Sequence, residues 1–283
     1  MELKTLDGIQ FSDIHNAFTN GFIDYGLPPM SSDQLNQMLT RRGFNPSLSI
    51  GAFVDDELVS FTLNGIGQWR GKPTAYDTGT ATIKAYRGQG MARKIFLETT
   101  SVLQKAGITH YLLEVMQTND KAVNLYKSLG FDVTREFDYF VSELNDLNFN
   151  STIKCNARIT QMDLPTESIV DHFWDAKPSW QNTFDAIQRT PQSFAAYGAY
   201  MENLLIGYTI TELDSGDLTQ LAVHKKFRRQ GVATQLLKRI AEVLPGNSIK
   251  VINVESSILI MMSFLKSIGM ERSGQQFEMI KSL

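Results

Sequence analysis

The chain states one motif twice. Residues 80–92 read Thr-Ala-Thr-Ile-Lys-Ala-Tyr-Arg-Gly-Gln-Gly-Met-Ala, and residues 221–233 read Leu-Ala-Val-His-Lys-Lys-Phe-Arg-Arg-Gln-Gly-Val-Ala. Arg87 matches Arg228, Gly90 matches Gly231 and Ala92 matches Ala233, each pair 141 positions apart. Each copy is followed by an amphipathic helical pattern, an apolar run, a shorter helical pattern and a glycine-hydrophobe pair, Gly130-Phe131 and Gly269-Met270. A repeat of half the chain length means two homologous domains, and its period is too long for a solenoid. The expected domains are 1–145 and 152–283, joined by the Asn- and Asp-rich stretch Glu143–Ser151.

Composition sets the outer bounds. With 283 residues, each half can bury a core of its own. A net charge of −3 gives no general attraction to nucleic acid or an anionic membrane, so any anion site must be local. The single cysteine, Cys155, rules out an internal disulfide framework and fits a reducing compartment. The N-terminus lacks the basic and apolar regions of a signal peptide. The longest apolar stretch, Ile258–Met262, is far short of the roughly 20 residues that span a bilayer. A cytoplasmic protein, monomer or homodimer, is the expectation, with no nucleic-acid or membrane partner.

Periodicity places the motif. In the first half a strand at Glu2–Leu6 precedes helices at Phe11–Phe22 and Ser32–Arg42, the second opened by a Ser-Ser-Asp cap. The Gly- and Pro-containing stretch Asp24–Met30 reads as a loop between them. Strands at Leu48–Val54 and Leu58–Asn64 and a third ending near Ile83 lead into the motif. A helix over Gln89–Ala106 follows, with Met91, Ile95, Thr99, Val102 and Leu103 on one face. Tyr111–Met116 is an interior strand, Asn119–Leu129 a helix, and Phe131–Val141 one or two closing strands. The second half repeats the order: a strand at Ile153–Ile159, helices at Glu167–Trp174 and Gln181–Arg189, and a hairpin of Phe194–Met201 with Leu205–Glu212. The strand Asp217–Val223, the helix Gln230–Leu244, the strand Ile249–Val254 and the helix Ser256–Ile268 complete it. The fold class is α/β (α+β): two tandem domains, each a mixed, largely antiparallel sheet flanked by helices.

The repeated loop has the chemistry of an anion cradle. Its glycines let the backbone approach a ligand and leave N–H groups pointing outward, and the following helix adds the positive end of its dipole. Arg87 at the lip, with Arg93 and Lys94 one turn in, adds charge. A glycine pair alone equally suits a plain tight turn; two copies in one strand-loop-helix context favour the phosphate reading. The loop is no Walker A, since Gly71-Lys72 runs into Pro73 and the upstream glycine position is Ile66. It is no dinucleotide fingerprint either, since residues 88–93 read Gly-Gln-Gly-Met-Ala-Arg.

Arg87-Gly88-Gln89-Gly90-Met91-Ala92, followed in order by Glu114-Val115, Asn119, Ala122, Tyr126 and Gly130-Phe131, resembles the GNAT superfamily of N-acetyltransferases. The resemblance covers nearly all of residues 1–141, and residues 153–283 resemble a second, more divergent copy. It implies that acetyl-CoA is the cosubstrate. Its pyrophosphate would sit on the loop amides of residues 87–92, and its pantetheine arm would pair with the strand at Ala81, Thr82 and Ile83. Asn119 would also bind it. Tyr126 would face the CoA sulfur. In the second copy Arg228, Arg229, Gln230, Gly231, Val232 and Ala233 would do the same binding work.

Acyl transfer from a thioester to an amine asks for such parts. An aliphatic ammonium, pKa about 10.4, must lose a proton, and a carboxylate can take it directly or through water. Asp77 and Glu114 are the candidate bases, though either could serve only as an acceptor for backbone groups. Tyr126 is the candidate proton donor to the leaving thiolate; otherwise it is a packed helical tyrosine. No covalent nucleophile is evident, and the four histidines form no ligand-spaced cluster, so no metal is expected. Cys155 stands in the linker region, away from any histidine in sequence.

The second copy departs from the pattern. With Gly269 on Gly130, Leu265 stands where Tyr126 does, Ile258 where Asn119 does and Met261 where Ala122 does. The C-terminal domain is therefore expected to be catalytically weak or silent. The resemblance implies that the acceptor enters over the first two helices and the connection between the third and fourth strands, so Phe22, Tyr25, Phe44, Trp69 and Tyr76, with Asp24, are expected around it, which suits a small-molecule amine. The alternatives are a non-catalytic CoA-binding protein and acyl or aminoacyl transfer to a larger amine acceptor.

Overall fold

The structure, a computed structural model, describes residues 1–25, 28–149, 153 and 155–283. Parts of the expected Asp24–Met30 loop, of the linker and of the expected strand Ile153–Ile159 lie outside the described residues, as does the Tyr25 side chain. The chain forms two compact units. One is Met1–Thr134 with Phe277–Leu283; the other is Arg135–Gln276.

The first unit runs β1 (Glu2–Thr5), α1 (Phe11–Phe22), α2 (Ser32–Arg42), β2 (Ile50–Val54), β3 (Glu57–Trp69), β4 (Lys72–Thr82), α3 (Met91–Lys105), β5 (His110–Met116) and α4 (Asp120–Ser128). β1 to β4 are successive antiparallel neighbours, and β5 lies parallel to β4 after the α3 crossover. Local chemistry sets the helix ends. Ser31 and Gln34 close a reciprocal capping box on α2, and Gly43 ends it at φ 82°. Ile14 and Ala17 of α1 and Leu35 and Leu39 of α2 are buried with Phe61 and Leu63 of β3. Phe96, Leu103, Val123 and Tyr126 of α3 and α4 are buried with Tyr111 and Leu113 of β5. Burying each such side chain contributes about 1.5–3 kcal/mol.

The chain continues through β6 (Asp132–Glu143), β7 (Arg158–Met162), α5 (Glu167–Val170), α6 (Phe184–Gln188), β8 (Phe194–Met201), β9 (Leu204–Glu212), β10 (Asp217–Val223), α7 (Val232–Val243), β11 (Ser248–Glu255), α8 (Leu259–Ser267) and β12 (Arg272–Ser282), of which Arg135–Gln276 form the second unit. Its strand order is β6-β11-β10-β9-β8-β7, with β10 and β11 parallel. The two front helices are shorter than expected. Glu167–Trp174 is one α turn followed by a 3-10 turn over Asp171–Phe173. Gln181–Arg189 is a 3-10 turn over Trp180–Asn182 followed by α6. Pro165, Pro178 and Pro191 leave little room between breaks.

The closing strands are exchanged. β6 follows α4 in sequence, yet from Arg135 onward it belongs to the second unit, antiparallel to β11, with Phe140 buried beside Leu236 and Leu237. The last residues of the chain complete the first unit instead. Met279 is buried with Phe96 and Tyr111, and the Leu283 N–H donates to the Thr109 carbonyl at 2.9 Å. β12 has no counterpart among the expected elements, which stop at Met270, and Phe131–Val141 is one strand rather than two. Alternation reveals a strand but not the sheet it joins, so boundaries drawn at 145 and 152 differ from those of the compact units.

Candidate active site

Both units part a pair of parallel strands next to a bulge. In the first, β4 pairs with β5 from Thr74–His110 to Asp77–Leu113 and stops there, while β4 runs on to Thr82 and β5 to Met116. The β3–β4 register slips at the same place: Asn64 faces Asp77 but Leu63 faces Gly79, leaving Thr78 as the extra residue. In the second unit β10 meets β11 only at Asp217–Lys250, and Thr219 is the extra residue opposite β9. A V opens in each unit, edged by strand backbone.

The repeated loops close the V at the helix end. Gly90 is the N-cap of α3 at φ 73°, and Gly88 lies at φ 76°. Gly231 caps α7 at φ 76°, while Arg229 takes the position of Gly88 at φ 62°. An L-residue there costs about 1–2 kcal/mol, so the second loop keeps its shape under strain. Gly88, Gln89 and Gly90 are exposed, and Ala81, Thr82 and Ile83 are half-buried. The Ala81 carbonyl accepts from Ser60 Oγ at 3.0 Å, and the Ile83 N–H donates to Val59. Met91 is buried under the loop and Ala92 half-buried; Val232 and Ala233 repeat this. Gln89 Nε2 reaches the Ala85 carbonyl at 3.5 Å and Gln230 Nε2 the Lys226 carbonyl at 3.2 Å.

The loop arginines face inward. Arg87 donates through Nε to the Thr82 carbonyl, through Nη1 to Asp24 and through Nη2 to the Gly21 carbonyl. Arg228 donates likewise to the Val223 carbonyl, Asp175 and the Phe173 carbonyl. The expected charge at the lip is therefore bonded to the fold, tying the loop to the end of α1 in the first unit and to the turn after α5 in the second. Arg93 likewise donates to Ser128 Oγ at 2.9 Å, while Lys94 stays exposed.

The two loops differ in access. A Cβ added at Gly90 would meet nothing within 4 Å among the described residues. At Gly231 it would come within 3.3 Å of the Ile153 carbonyl oxygen and 3.4 Å of Cys155 Cβ. Cys155, remote from the chemistry by sequence, thus lies against the second loop.

Asp77 sits at the bulge where β4 and β5 part, 8 % exposed. Its carboxylate accepts from the Gly79 N–H at 2.9 Å and from Thr80 Oγ1 at 2.8 Å. Burial raises its pKa to about 7 against those bonds and the nearby Arg42 charge. Glu114 on β5 accepts from the Tyr76 hydroxyl at 3.1 Å, and burial holds the Tyr76 pKa well up. Tyr126 packs its ring on Phe96 and Phe131, centroids 5.3 and 5.8 Å apart. Asn119 is the N-cap of α4, its Oδ1 accepting from the Ala122 N–H at 3.2 Å. In the second unit Ile258 caps α8 without a side-chain bond, and Leu265 is fully buried.

The expected aromatic lining belongs mostly to the core. Trp69 and Tyr76 are buried, Phe44 packs on the α1–α2 core, and Phe22 packs on Phe18 with centroids 4.6 Å apart. Asp24 pairs with Arg87 and Lys84, and those hydrogen bonds hold its carboxyl below the usual range.

The sequence reading missed a cavity of about 560 Å³ within the second unit, running from Arg229 and Gly231 past Leu221 to Met261 of α8. Its inner wall carries a hydrogen-bonded chain. Trp174 Nε1 donates to the Tyr208 hydroxyl at 2.6 Å, Tyr208 to Gln220 Oε1 at 2.7 Å, and Gln220 Nε2 to the Asn182 carbonyl at 2.7 Å. These residues lie on four separate segments, and no spacing in the sequence joins them. Among the described residues no three His, Cys, Asp or Glu side chains gather to hold a metal ion, and no helix is long and apolar enough to cross a membrane.

Comparison with known proteins agrees with this geometry. Residues 11–131 match the acetyltransferase (GNAT) family model, and residues 172–280 match an acetyltransferase (GNAT) domain model. The mouse thialysine N-epsilon-acetyltransferase is 35% identical over 74 residues, which are 26% of this chain and 43% of that protein. The N-alpha-acetyltransferase 30 of Schizosaccharomyces pombe is 30% identical over 87 residues, 30% of this chain and 58% of that one. The matched stretch thus spans about half the length of these relatives. Whole-chain likeness is structural. A tandem GNAT protein from the clavulanic acid biosynthesis pathway superposes at TM-score 0.73 and 12% identity, covering 99% of this chain and 98% of its own. A GCN5-related N-acetyltransferase from Sphaerobacter thermophilus does so at 0.71 and 13%, covering 99% and 95%. With a family model on each half and the strand parting and loop built twice, the chain belongs to the GNAT acetyltransferase family, in its tandem form.

Proposed function

We propose that the protein transfers an acetyl group from acetyl-CoA to the primary amine of a small molecule, by direct attack in a ternary complex, in the unit Met1–Thr134 with Phe277–Leu283. The observation that carries this reading is Asp77, a buried carboxylate with a pKa of about 7, at the bulge where β4 leaves β5. A base poised near neutrality takes the ammonium proton with useful driving force. Glu114, the other candidate, is already bonded to the Tyr76 hydroxyl and takes a supporting part.

Acetyl-CoA supplies the acyl group as a thioester. The chain has features that fit it: an open, left-handed glycine at Gly90, a helix N-terminus behind it, and the edge of β4 from Thr78 to Thr82 beyond its pairing with β5. Gly88, Gln89, Met91 and Ala92 would complete the cradle, with Ala81, Thr82 and Ile83 beside the pantetheine arm. Arg87 works by holding the loop. Asn119 fixes the start of α4, and Tyr126 hands its hydroxyl proton to the departing thiolate. We assign the protein to the cytoplasm from its single cysteine, which fits a reducing compartment, and take it as a monomer or homodimer.

The second unit keeps the loop Arg228–Ala233, but Leu218, the residue before its bulge, stands where Asp77 does, and Leu265 stands where Tyr126 does. Its cavity supports the second reading, ligand binding without turnover in that unit. Transfer to a larger acceptor remains the alternative substrate class. The test is incubation with acetyl-CoA and a panel of small amines, with free CoA and acetylated product read by mass spectrometry for wild type and Asp77→Asn. Product from wild type and its loss in the variant support the proposal. CoA binding with no product from any amine would leave only the binding reading.

A further inference from the structure

We infer that Arg42 is a positioning residue for this chemistry: its guanidinium holds the Thr78 carbonyl and so fixes the bulge that sets Asp77 at the parting of β4 and β5. The inference rests on the reading of Asp77 as the base.

The geometry is specific. Arg42 is the last residue of α2, and its Nη1 donates to the carbonyl of Thr78, the extra residue of the bulge, at 3.1 Å. A bulge residue has no partner across the ladder, so its carbonyl needs a donor from elsewhere. The helix end is locked against the facing strand. Phe44 bridges Gly65, the Ile66 N–H donates to Gly43, and the Asn45 N–H donates to Asn64. Gly65 is in close contact with the Arg42 backbone. A Cβ there would lie 2.0 Å from the Arg42 carbonyl oxygen and 3.4 Å from Thr78 Cγ2. Arg42 thus reaches the bulge from a rigid base, and no flexible loop intervenes.

The charge acts as well. The groups acting on Asp77 are Thr80 and the Gly79 N–H on its own strand and Arg42 from α2, and the Asp77 charge in turn helps raise the pKa values of Tyr76 next to it and Tyr111 from β5. Tyr111 donates to Asn64 Oδ1 at 2.6 Å and Tyr76 to Glu114, so both phenols are neutral donors held elsewhere. Arg42 is the cation of that set, and it favours the carboxylate that burial disfavours.

The experiment titrates the Asp77 carboxyl carbon by NMR in the full chain, for wild type, Arg42→Gln and Arg42→Lys. It needs no acceptor. The expected midpoint rises by about one pH unit in Arg42→Gln and stays near wild type in Arg42→Lys. In Arg42→Lys the Gly79 amide, which donates to Asp77, exchanges at least tenfold faster with solvent, because lysine does not reproduce the guanidinium hold on Thr78. If Arg42→Gln does not fold, the Gly79 exchange in Arg42→Lys decides. An unmoved midpoint in a folded Arg42→Gln, or wild-type Gly79 protection in Arg42→Lys, overturns the inference. The pH–rate profile separates this from the base assignment. If Asp77→Asn removes the acid limb while Arg42→Gln leaves it in place, the base stands and the inference falls. If Asp77→Asn keeps the limb, the base assignment falls while the NMR result still judges Arg42.

Discussion

Arg87 and Asp24 lie 63 positions apart in sequence, and the guanidinium Nη1 of one sits 2.5 Å from a carboxylate oxygen of the other. Arg228 and Asp175 repeat the pair in the second unit at 2.9 Å. A strong charge is used in both places to hold the glycine loop, on the end of α1 in the first unit and on the turn after α5 in the second. We predict that Asp24→Asn leaves the fold intact and weakens acetyl-CoA binding by about tenfold, through loss of one charge-assisted hydrogen bond. Isothermal titration checks it; unchanged affinity would mean that the loop holds its own shape. The Asp24 carboxyl titrates below its usual range, so the effect is constant across neutral pH.

The two loop glycines should respond differently to a side chain. Gly90→Val meets open protein space, so the cost is backbone strain of about 1–2 kcal/mol. It should abolish the thermal stabilisation that a ligand bound only to the folded state must give. Gly231→Val presses on Ile153 and Cys155 and should lower stability while leaving acetyl transfer in place. A folded Gly231→Val without activity, beside an active Gly90→Val, would move the chemistry to the second unit.

Asp77 links stability to pH with a definite sign. Its pKa is near 4 unfolded and about 7 folded, so between those values the native state binds the extra proton. Stability is therefore fullest at low pH on this account and falls as pH rises toward 7, by about 4 kcal/mol at most. Asp77→Asn should flatten that fall, as measured by urea unfolding at pH 5 and pH 8. The same substitution should cut kcat/KM by about 10²–10⁴ and remove the acid limb near pH 7. An unchanged acid limb would falsify the assignment of the base.

Tyr126→Phe keeps the ring between Phe96 and Phe131 and removes only the hydroxyl. We predict that kcat falls about tenfold or more while the Kd for acetyl-CoA stays within twofold, since a bond to the leaving sulfur strengthens toward the transition state. Wild-type kcat on a working acceptor would make Tyr126 a packing residue alone.

Arg229 holds a left-handed conformation that Gly88 occupies freely in the first loop. Arg229→Gly should raise the stability of the chain by about 0.5–1 kcal/mol, the strain relieved less the added chain entropy. A lowered Tm would show that the side chain does more than tolerate the turn.

What the sequence alone determined was local. Gly90 and Gly231 stand where the backbone needs positive φ, and the spacing of Met91, Ile95, Thr99 and Leu103 makes one buried helix face. Such features depend on neighbours a few residues away, so α1, α2, α3 and β10 fall close to where periodicity predicts them. The doubled loop carried the family resemblance for the same reason. The tertiary structure decided what depends on which surfaces meet. It sent β6 into the second unit and Phe277–Leu283 into the first, because an alternating strand fits any sheet edge offering the right apolar face. It brought Asp24 and the Gly21 carbonyl beside Arg87, so that the guanidinium clamps the loop. It laid Ile153 and Cys155 against one glycine loop and left the other open. And it raised Asp77 to about 7 by burial, which outweighs the hydrogen bonds from its neighbours Thr80 and Gly79 and the Arg42 charge that pull the other way, and burial is not written in the residues next to it.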